Sequence, residues 1–432
     1  MTDLAAAPPS PDRRRAFGLL FIVLMVVAAG NTALQAVMPA IGRELGLSDI
    51  LVAAIYSLSS LFWAGSAPFW AASSDKRGRK PLILFGLTGY AISMAAFGLA
   101  VLAALNGLIS AGVAFVLLLA ARAVYGLSGS ATNPASQAYV ADRTGFDERT
   151  TALATLASAI GLGTVLGPAV APFLAFPPIG LTGPIFIFGL VAVATLIAVQ
   201  RGLKEEPADA LISGEAGESA PSAERRPGLW RDRRVRPFLI YAFVVVSTQA
   251  AQTQALGFLV IDILEMPPIR AQTFIGAAMM AGAAAGLLAQ WGLIRLLHMT
   301  PKSLMRWGAG LACAGNLLTA VAPDYGAVVF AFALATLGFG FARPGFTAGA
   351  SLTVGGHEQG AVAGALTAVI GASFFVSPVG AMALYELWRP APFLVNAALA
   401  LAALIYAMRS GPLSHAGERV EPAPQSTSLL RG

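Results

Sequence analysis

The chain has 432 residues, of which 56% are hydrophobic and only 12% charged, with 28 Lys and Arg against 22 Asp and Glu for a formal net charge of +6. A soluble protein of this length needs far more polar surface, so a water-soluble globular fold is excluded. The basic excess would suit nucleic acid, but it sits between long apolar runs and not on one polar domain, which argues against a nucleic-acid partner.

In chain order, apolar runs long enough to cross a bilayer are predicted near 16–39, 50–72, 81–104, 112–141, 150–175, 183–200, 237–261, 272–296, 304–322, 326–351, 360–385 and 392–409. They are continuous and not alternating, which points to helices and away from a β-barrel. The first run, from Phe17 to Pro39, is too long for a cleavable signal. With both termini cytoplasmic, Arg43, Arg270 and Arg389 fall outside, Arg122 and Arg343 fall inside spans, and the remaining 23 basic residues are cytoplasmic. That asymmetry orients the chain. Basic runs such as Arg13, Arg14 and Arg15 read as orientation anchors, with anionic-lipid binding as the alternative. The lone cysteine, Cys313, has no internal disulfide partner.

Residues 201–236 form the long polar interior stretch and read as a cytoplasmic linker between a unit at 1–200 and a unit at 237–410, with a polar tail over 411–432. The halves echo one another. "ASAIGLGTVLGP" (157–168) and "TAVIGASFFVSP" (367–378) share Ile, Gly and Pro at an offset of 210, and the same offset relates Asn133-Pro134 to Arg343-Pro344. Repeated halves around a central site are an architecture of alternating access.

The stretch "AASSDKRGRKP" gathers Asp75, Lys76, Gly78, Arg79 and Lys80 between spans two and three. Gly78 permits a tight reversal. The Asp75 carboxylate is placed to cap a helix or pair with Arg79, making a conformational latch; the alternative is that the cations only hold the loop inside. In span four, "RAVYGLSGS" places Arg122 within apolar sequence, where charge is costly and functional by default, with a structural ion pair as the alternative. Arg122, Gly126, Gly129, Asn133 and Gln137 share one helical face, on which the glycines read first as packing. Span five carries "GLGTVLGPAVAP", with Gly163, Gly167 and Pro168 suited to close helix approach and a bend.

These three stretches, in this order, resemble the signatures of the major facilitator superfamily. The loop is similar to the Gly-x-x-x-Asp-Arg/Lys-x-Gly-Arg-Arg/Lys pattern with Ala71 at its first position, span four to its Arg-x-x-x-Gly pattern, and span five to the Gly-x-x-x-Gly-Pro antiporter motif. Ala171 and Pro172 stand where that last motif usually ends in Gly-Gly. "YVADRTGFDER", with Asp142 and Arg149, resembles the four-to-five loop of the twelve-span drug:proton antiporters, including the tetracycline exporters. The resemblance implies an all-α membrane protein, twelve helices in two pseudo-symmetric six-helix bundles. It implies a bacterial inner-membrane, monomeric secondary transporter that exchanges protons for drug-like or small metabolite substrates, without a cofactor. The latch would comprise Asp75, Lys76, Gly78, Arg79, Lys80, Asp142 and Arg149.

Many proton-coupled exporters of this kind place a carboxylate in span one. Here span one offers Asn31 and Gln35, and all acids and the three histidines lie in loops or near span ends. Asp142, Asp262 and Glu265 are the nearest proton-binding candidates. The expected cavity residues are Arg122, Asn31, Gln35, Gly126, Asn133, Gln137, Thr248, Gln249, Gln252 and Arg343, together with Tyr56 and Trp63 of span two, Tyr241 of span seven and Ser373 and Ser377 of span eleven. For the uncharged ones, plain interhelical hydrogen bonding is the alternative. The two arginines without embedded acids suggest a second reading, an organic-anion exchanger or facilitator. "GLSG" (126–129) matches the Gly-x-Ser-Gly of intramembrane serine proteases, but no span carries the histidine that chemistry needs. Metal-ligand spacing and phosphate-binding loops are absent from the sequence, so direct ATP use is not expected.

Overall fold

The computed structural model describes residues 11–177, 179–204, 232–355 and 358–416. Most of the expected linker, most of the tail and the first ten residues therefore lie outside the described residues. The described chain is all helical, and we number the spanning helices α1 Pro11–Glu44, α2 Asp49–Arg77, α3 Arg79–Leu105, α4 Ala111–Ala141, α5 Phe146–Leu174 and α6 Gly183–Gly202 in the first half. The second half contributes α7 Arg236–Leu264, α8 Pro268–Leu296, α9 Pro301–Ala320, α10 Tyr325–Leu352, α11 Gln359–Leu387 and α12 Ala391–Arg409. Eleven of these are long and apolar enough to cross a membrane. The twelfth, α9, is helical in its expected place but carries Lys302 and Arg306 in its first turns, which dilute its hydropathy. Large apolar side chains such as Leu99, Val116, Phe173, Leu190 and Phe330 stand exposed around the rim, as lipid-facing side chains do. The protein is an integral, multi-pass membrane protein.

Local sequence explains where the helices begin and break. Asp324 accepts the Ala327 amide at 2.8 Å to open α10, and Thr300 accepts the Ser303 amide at 3.3 Å to open α9. Gly78 separates α2 from α3 at φ 88°, a left-handed conformation that a side chain disfavours. Within α4 the helix Ala111–Gly129 ends and a second piece, Thr132–Ala141, begins. Pro134 has no N–H to give the Ser130 carbonyl, so one helical hydrogen bond is missing at this break. Its counterpart Pro344 lies inside unbroken α10, so the two pseudo-equivalent Pro sites are built differently. In α8 a π-helical turn spans Leu288–Leu293.

Each half has its own apolar core near the end at which α1 begins and α12 ends, which we call proximal. One is built from residues such as Leu20, Ile83, Tyr139 and Val199, the other from Phe238, Ala342, Phe346 and Ala407. At the opposite, distal end a single core runs through both halves, joining Val37, Ile41 and Val52 to Phe258, Ile275 and Tyr385. Two lateral seams join the halves, α2 against α11 and α5 against α8, with α1 lying against α7 and α8. The polar contacts between halves among the described residues also lie at the distal end. Arg43 meets Asp262, the Ile50 amide donates to Glu386 at 3.1 Å, and Gln272 donates to the Ala171 carbonyl at 3.3 Å. The two halves are thus fused distally and separate proximally.

Candidate functional site

A cavity of about 270 Å³ lies where α1, α2, α4, α7 and α11 converge. Among the described residues, Arg122 of α4 is its one charged wall residue, and it is only 5% exposed. One guanidinium nitrogen donates to the Asn31 side-chain oxygen at 3.0 Å. The Asn31 amide in turn donates to the Tyr125 hydroxyl at 2.6 Å and to the Val27 carbonyl at 3.0 Å, which fixes its orientation. The guanidinium carbon lies 4.7 Å from the centre of the Tyr125 ring and 5.5 Å from that of Tyr56, so aromatic faces flank the cation. Among the described residues, Arg122 Nε and the hydroxyls of Tyr56 and Tyr90 are buried without a hydrogen-bond partner. Gly30 of α1 makes room for the Tyr90 hydroxyl, where a Cβ would collide. Met38, Trp63, Ile370 and Phe374 supply apolar wall, and Gln35, Thr253 and Gln254 supply neutral polar groups.

Asn31, Gln35, Arg122, Tyr56 and Trp63 therefore meet around one space. Other expected cavity residues do not line it: Tyr241 and Ser373 are fully buried, Tyr241 donating to the Met305 carbonyl and Ser373 to the Val369 and Phe243 carbonyls, and Ser377 also stands off the wall. Gly126 is a packing residue, since a Cβ there would lie 2.5 Å from the Ser59 carbonyl oxygen of α2. Asn133 accepts from Gln137 at 3.0 Å, so these two bond to each other on the proximal piece of α4. Thr248 is fully buried, donating to the Val245 carbonyl at 2.8 Å, and its own carbonyl accepts from Asn396 of α12 at 3.3 Å. Gln252 is buried on the same side and Gln249 flanks it; neither reaches the cavity. On α7 the cavity face runs instead through Ala250, Thr253 and Gln254, and a turn further Gly257 meets Pro39 of α1. Arg343 also lies away from this cavity, exposed on α10, and its guanidinium has no partner among the described residues.

The loop motif forms a compact polar corner within the first half. Arg79 Nε lies 2.9 Å from an Asp142 carboxylate oxygen, and a second Arg79 nitrogen donates to Ser74 at 2.8 Å. Lys80 donates to the Gln200 carbonyl at 3.0 Å, and Arg149 to the Ala141 carbonyl at 3.0 Å. Gly78 supplies the turn. The side chains of Asp75 and Lys76 lie outside the described residues. In span five, a Cβ on Gly163 or Gly167 would run into the α1 backbone at Met25 and Ala29, and Thr32 donates to the Gly163 carbonyl at 3.4 Å. The Pro168 carbonyl borders Gly276 of α8, where a Cβ would lie 2.7 Å from it. The motif thus knits α1 to α5 and sets α5 against the other half.

One cluster was not assembled in the sequence analysis. At the distal end Arg43 makes a two-pronged pair with Asp49 at 2.7 and 2.8 Å, and also reaches Asp262 of α7 at 3.3 Å. Asp262, about 10% exposed, accepts from the Tyr385 hydroxyl at 2.7 Å and faces Arg389 at 3.5 Å. Arg43 stands one helical turn beyond Pro39, a cavity wall residue. The cluster therefore closes the cavity at this end.

The sequence pattern of the Major Facilitator Superfamily matches residues 20–378. The chain belongs to this superfamily. Among curated relatives, this superfamily member is 25% identical to "Multidrug resistance protein 2" of Bacillus subtilis (strain 168) over 82% of this chain and 84% of that one. It is 26% identical to "Tetracycline resistance protein, class C" of Escherichia coli over 92% of this chain and 98% of that one. Among solved structures, it matches the human organic anion transporter MFSD10 (TETRAN) with a TM-score of 0.63 and 20% identity, covering 92% of this chain and all of that one. A bacterial homolog to the human lysosomal transporter Spinster matches with a TM-score of 0.69 and 11% identity over 92% and 97% of the two chains. These structures share its fold. The protein is a superfamily transporter of small molecules and not an enzyme.

Proposed function

We propose that the protein exports drug-like or small organic metabolite compounds across the bacterial inner membrane by alternating access, driven by inward movement of protons. The observation that carries this reading is the central cavity, sealed distally by the Arg43–Asp49–Asp262 cluster while the halves stand apart proximally. The excess of basic residues in the proximal loops supports a cytoplasmic proximal end, so the cavity in this state loads from the cytoplasm. The antiporter motif at Gly163, Gly167 and Pro168 and the drug-resistance relatives support the outward direction. Rocking of a unit at 1–200 against a unit at 237–410, joined by a linker at 201–236, would then expose the cavity alternately to each side. Among the described residues, carboxylates are absent from the cavity wall; those nearest to it along the lining helices, Glu44, Asp49, Asp262 and Glu386, lie at the distal end. We place the proton's action there and at the Arg79–Asp142 corner. The test is a substrate screen in proteoliposomes with an imposed pH gradient. Uphill accumulation that collapses with the gradient is expected; transport indifferent to the gradient would remove proton coupling.

A further inference from the structure

We propose that the cavity takes an organic anion, its carboxylate or similar oxyanion seated on the Arg122 guanidinium, and that Asn31 is the residue that sets this preference. The inference rests on the reading of this cavity as the transport site. Among the described residues, the cavity wall carries one formal charge, and it is positive. The partners of that charge are all neutral: an amide oxygen at 3.0 Å and two aromatic faces. A cation held nearly out of water needs an anion close by or a high cost remains. The carboxylates nearest along the lining helices all lie toward the distal end: Glu44, five residues from Pro39, Asp49, seven from Tyr56, and Asp262 and Glu386, eight from Gln254 and Pro378, about 8–12 Å away at 1.5 Å per residue. Asp49 and Asp262 are already engaged by Arg43, Asp262 by Tyr385 as well, and Glu386 by the Ile50 amide, while Glu44 is exposed and off the cavity wall. Arg122 thus reaches the cavity with its charge uncompensated and its Nε unbonded. Apolar wall from Met38, Trp63, Ile370 and Phe374 suits a hydrophobic or aromatic body on that anion.

Asn31 occupies the position that decides the matter. Its side-chain oxygen already meets Arg122, so a carboxylate in the same place would form an internal ion pair. With an amide there, the counter-ion has to come from the ligand.

The test is equilibrium titration calorimetry of the detergent-solubilised full chain with 1-naphthoate, 1-naphthamide and 1-naphthylmethylammonium, which share a ring system and differ in charge. The wild type should bind naphthoate at least about tenfold tighter than the ammonium, the scale of one charge-assisted hydrogen bond. Arg122→Gln should erase that preference and Arg122→Lys should restore part of it. Asn31→Asp retains the arginine and should also lose the preference, with an unchanged elution volume and unfolding midpoint in detergent as the control for folding. Equal or tighter binding of the ammonium by the wild type, an anion preference that survives both Arg122→Gln and Asn31→Asp, or no binding of any probe would overturn the assignment. Binding is read without a membrane gradient, so failure of proton-driven export leaves this result standing. Conversely, a cavity indifferent to charge removes the anion and leaves export intact.

Discussion

At the scale of single residues, the consequential side chains are those that are missing. A Cβ on Gly167 would meet the Ala29 carbonyl and the Thr32 hydroxyl of α1, and backbone does not give way cheaply. Gly167→Leu should cost about 1–3 kcal/mol if the helices stay together, or force α5 off α1. The expected outcome is a lowered unfolding midpoint in detergent and transport near background in proteoliposomes. Normal turnover would show that α5 tolerates a wider spacing. Tyr125 offers a gentler probe. Tyr125→Phe keeps the ring face over Arg122 but removes the hydroxyl that Asn31 holds at 2.6 Å. About 1 kcal/mol of substrate affinity should go with it through loosened Asn31, measured as a several-fold rise in Kd without loss of expression.

At the scale of helices, the Arg79–Asp142 pair ties the start of α3 to the end of α4 inside one half. Both side chains are partly exposed, and pairs of this kind contribute about 0–1 kcal/mol to stability. Asp142→Asn should therefore leave the unfolding midpoint nearly unchanged. If the corner acts as a latch, initial transport rates should nonetheless fall several-fold while cavity binding persists. Full transport by this variant would reduce the motif to an anchor for the loop. Helix positions, the α1–α5 motif and the Asn31–Arg122–Tyr56 side of the cavity were legible in the sequence because each follows from a run or a spacing within one or two helices. The cavity face of α7 was not. Thr248 and Gln252 look like cavity residues by polarity, yet a membrane protein also buries such groups between helices, as Asn396 shows by bonding the Thr248 carbonyl. Nor was the distal cluster legible, because Arg43 and Asp262 stand 219 residues apart and meet only after both halves have folded.

At the scale of the whole molecule, that cluster is the polar lock between halves whose cores are otherwise shared only distally. Asp262→Asn removes the charge that Arg43 reaches across the seam but leaves Arg43 its own Asp49. The distally open state should therefore gain population in the variant. Spin labels at Leu108 and Val321, exposed in distal loops of opposite halves, would report this as a longer distance distribution than in the otherwise native protein. An unchanged distribution would place the lock in the apolar core and the remaining contacts of Glu386 and Gln272.

The α2–α11 seam also sets a lever. Gly371 presses on Ala64 near the middle of both helices, where a Cβ would sit 2.6 Å from the alanine methyl. From that fulcrum, Asp49 and Glu386 each stand 15 residues away toward the distal end, an arm of about 22 Å at 1.5 Å per residue. Swinging such an arm through only about 10° carries its tip about 4 Å, enough to part hydrogen bonds of ordinary length. The Ile50 amide and Glu386, now 3.1 Å apart, would release within that arc, while atoms beside the fulcrum would move by less than a bond length. The geometry thus makes the distal seal very sensitive to rotation and the middle of the cavity wall nearly stationary.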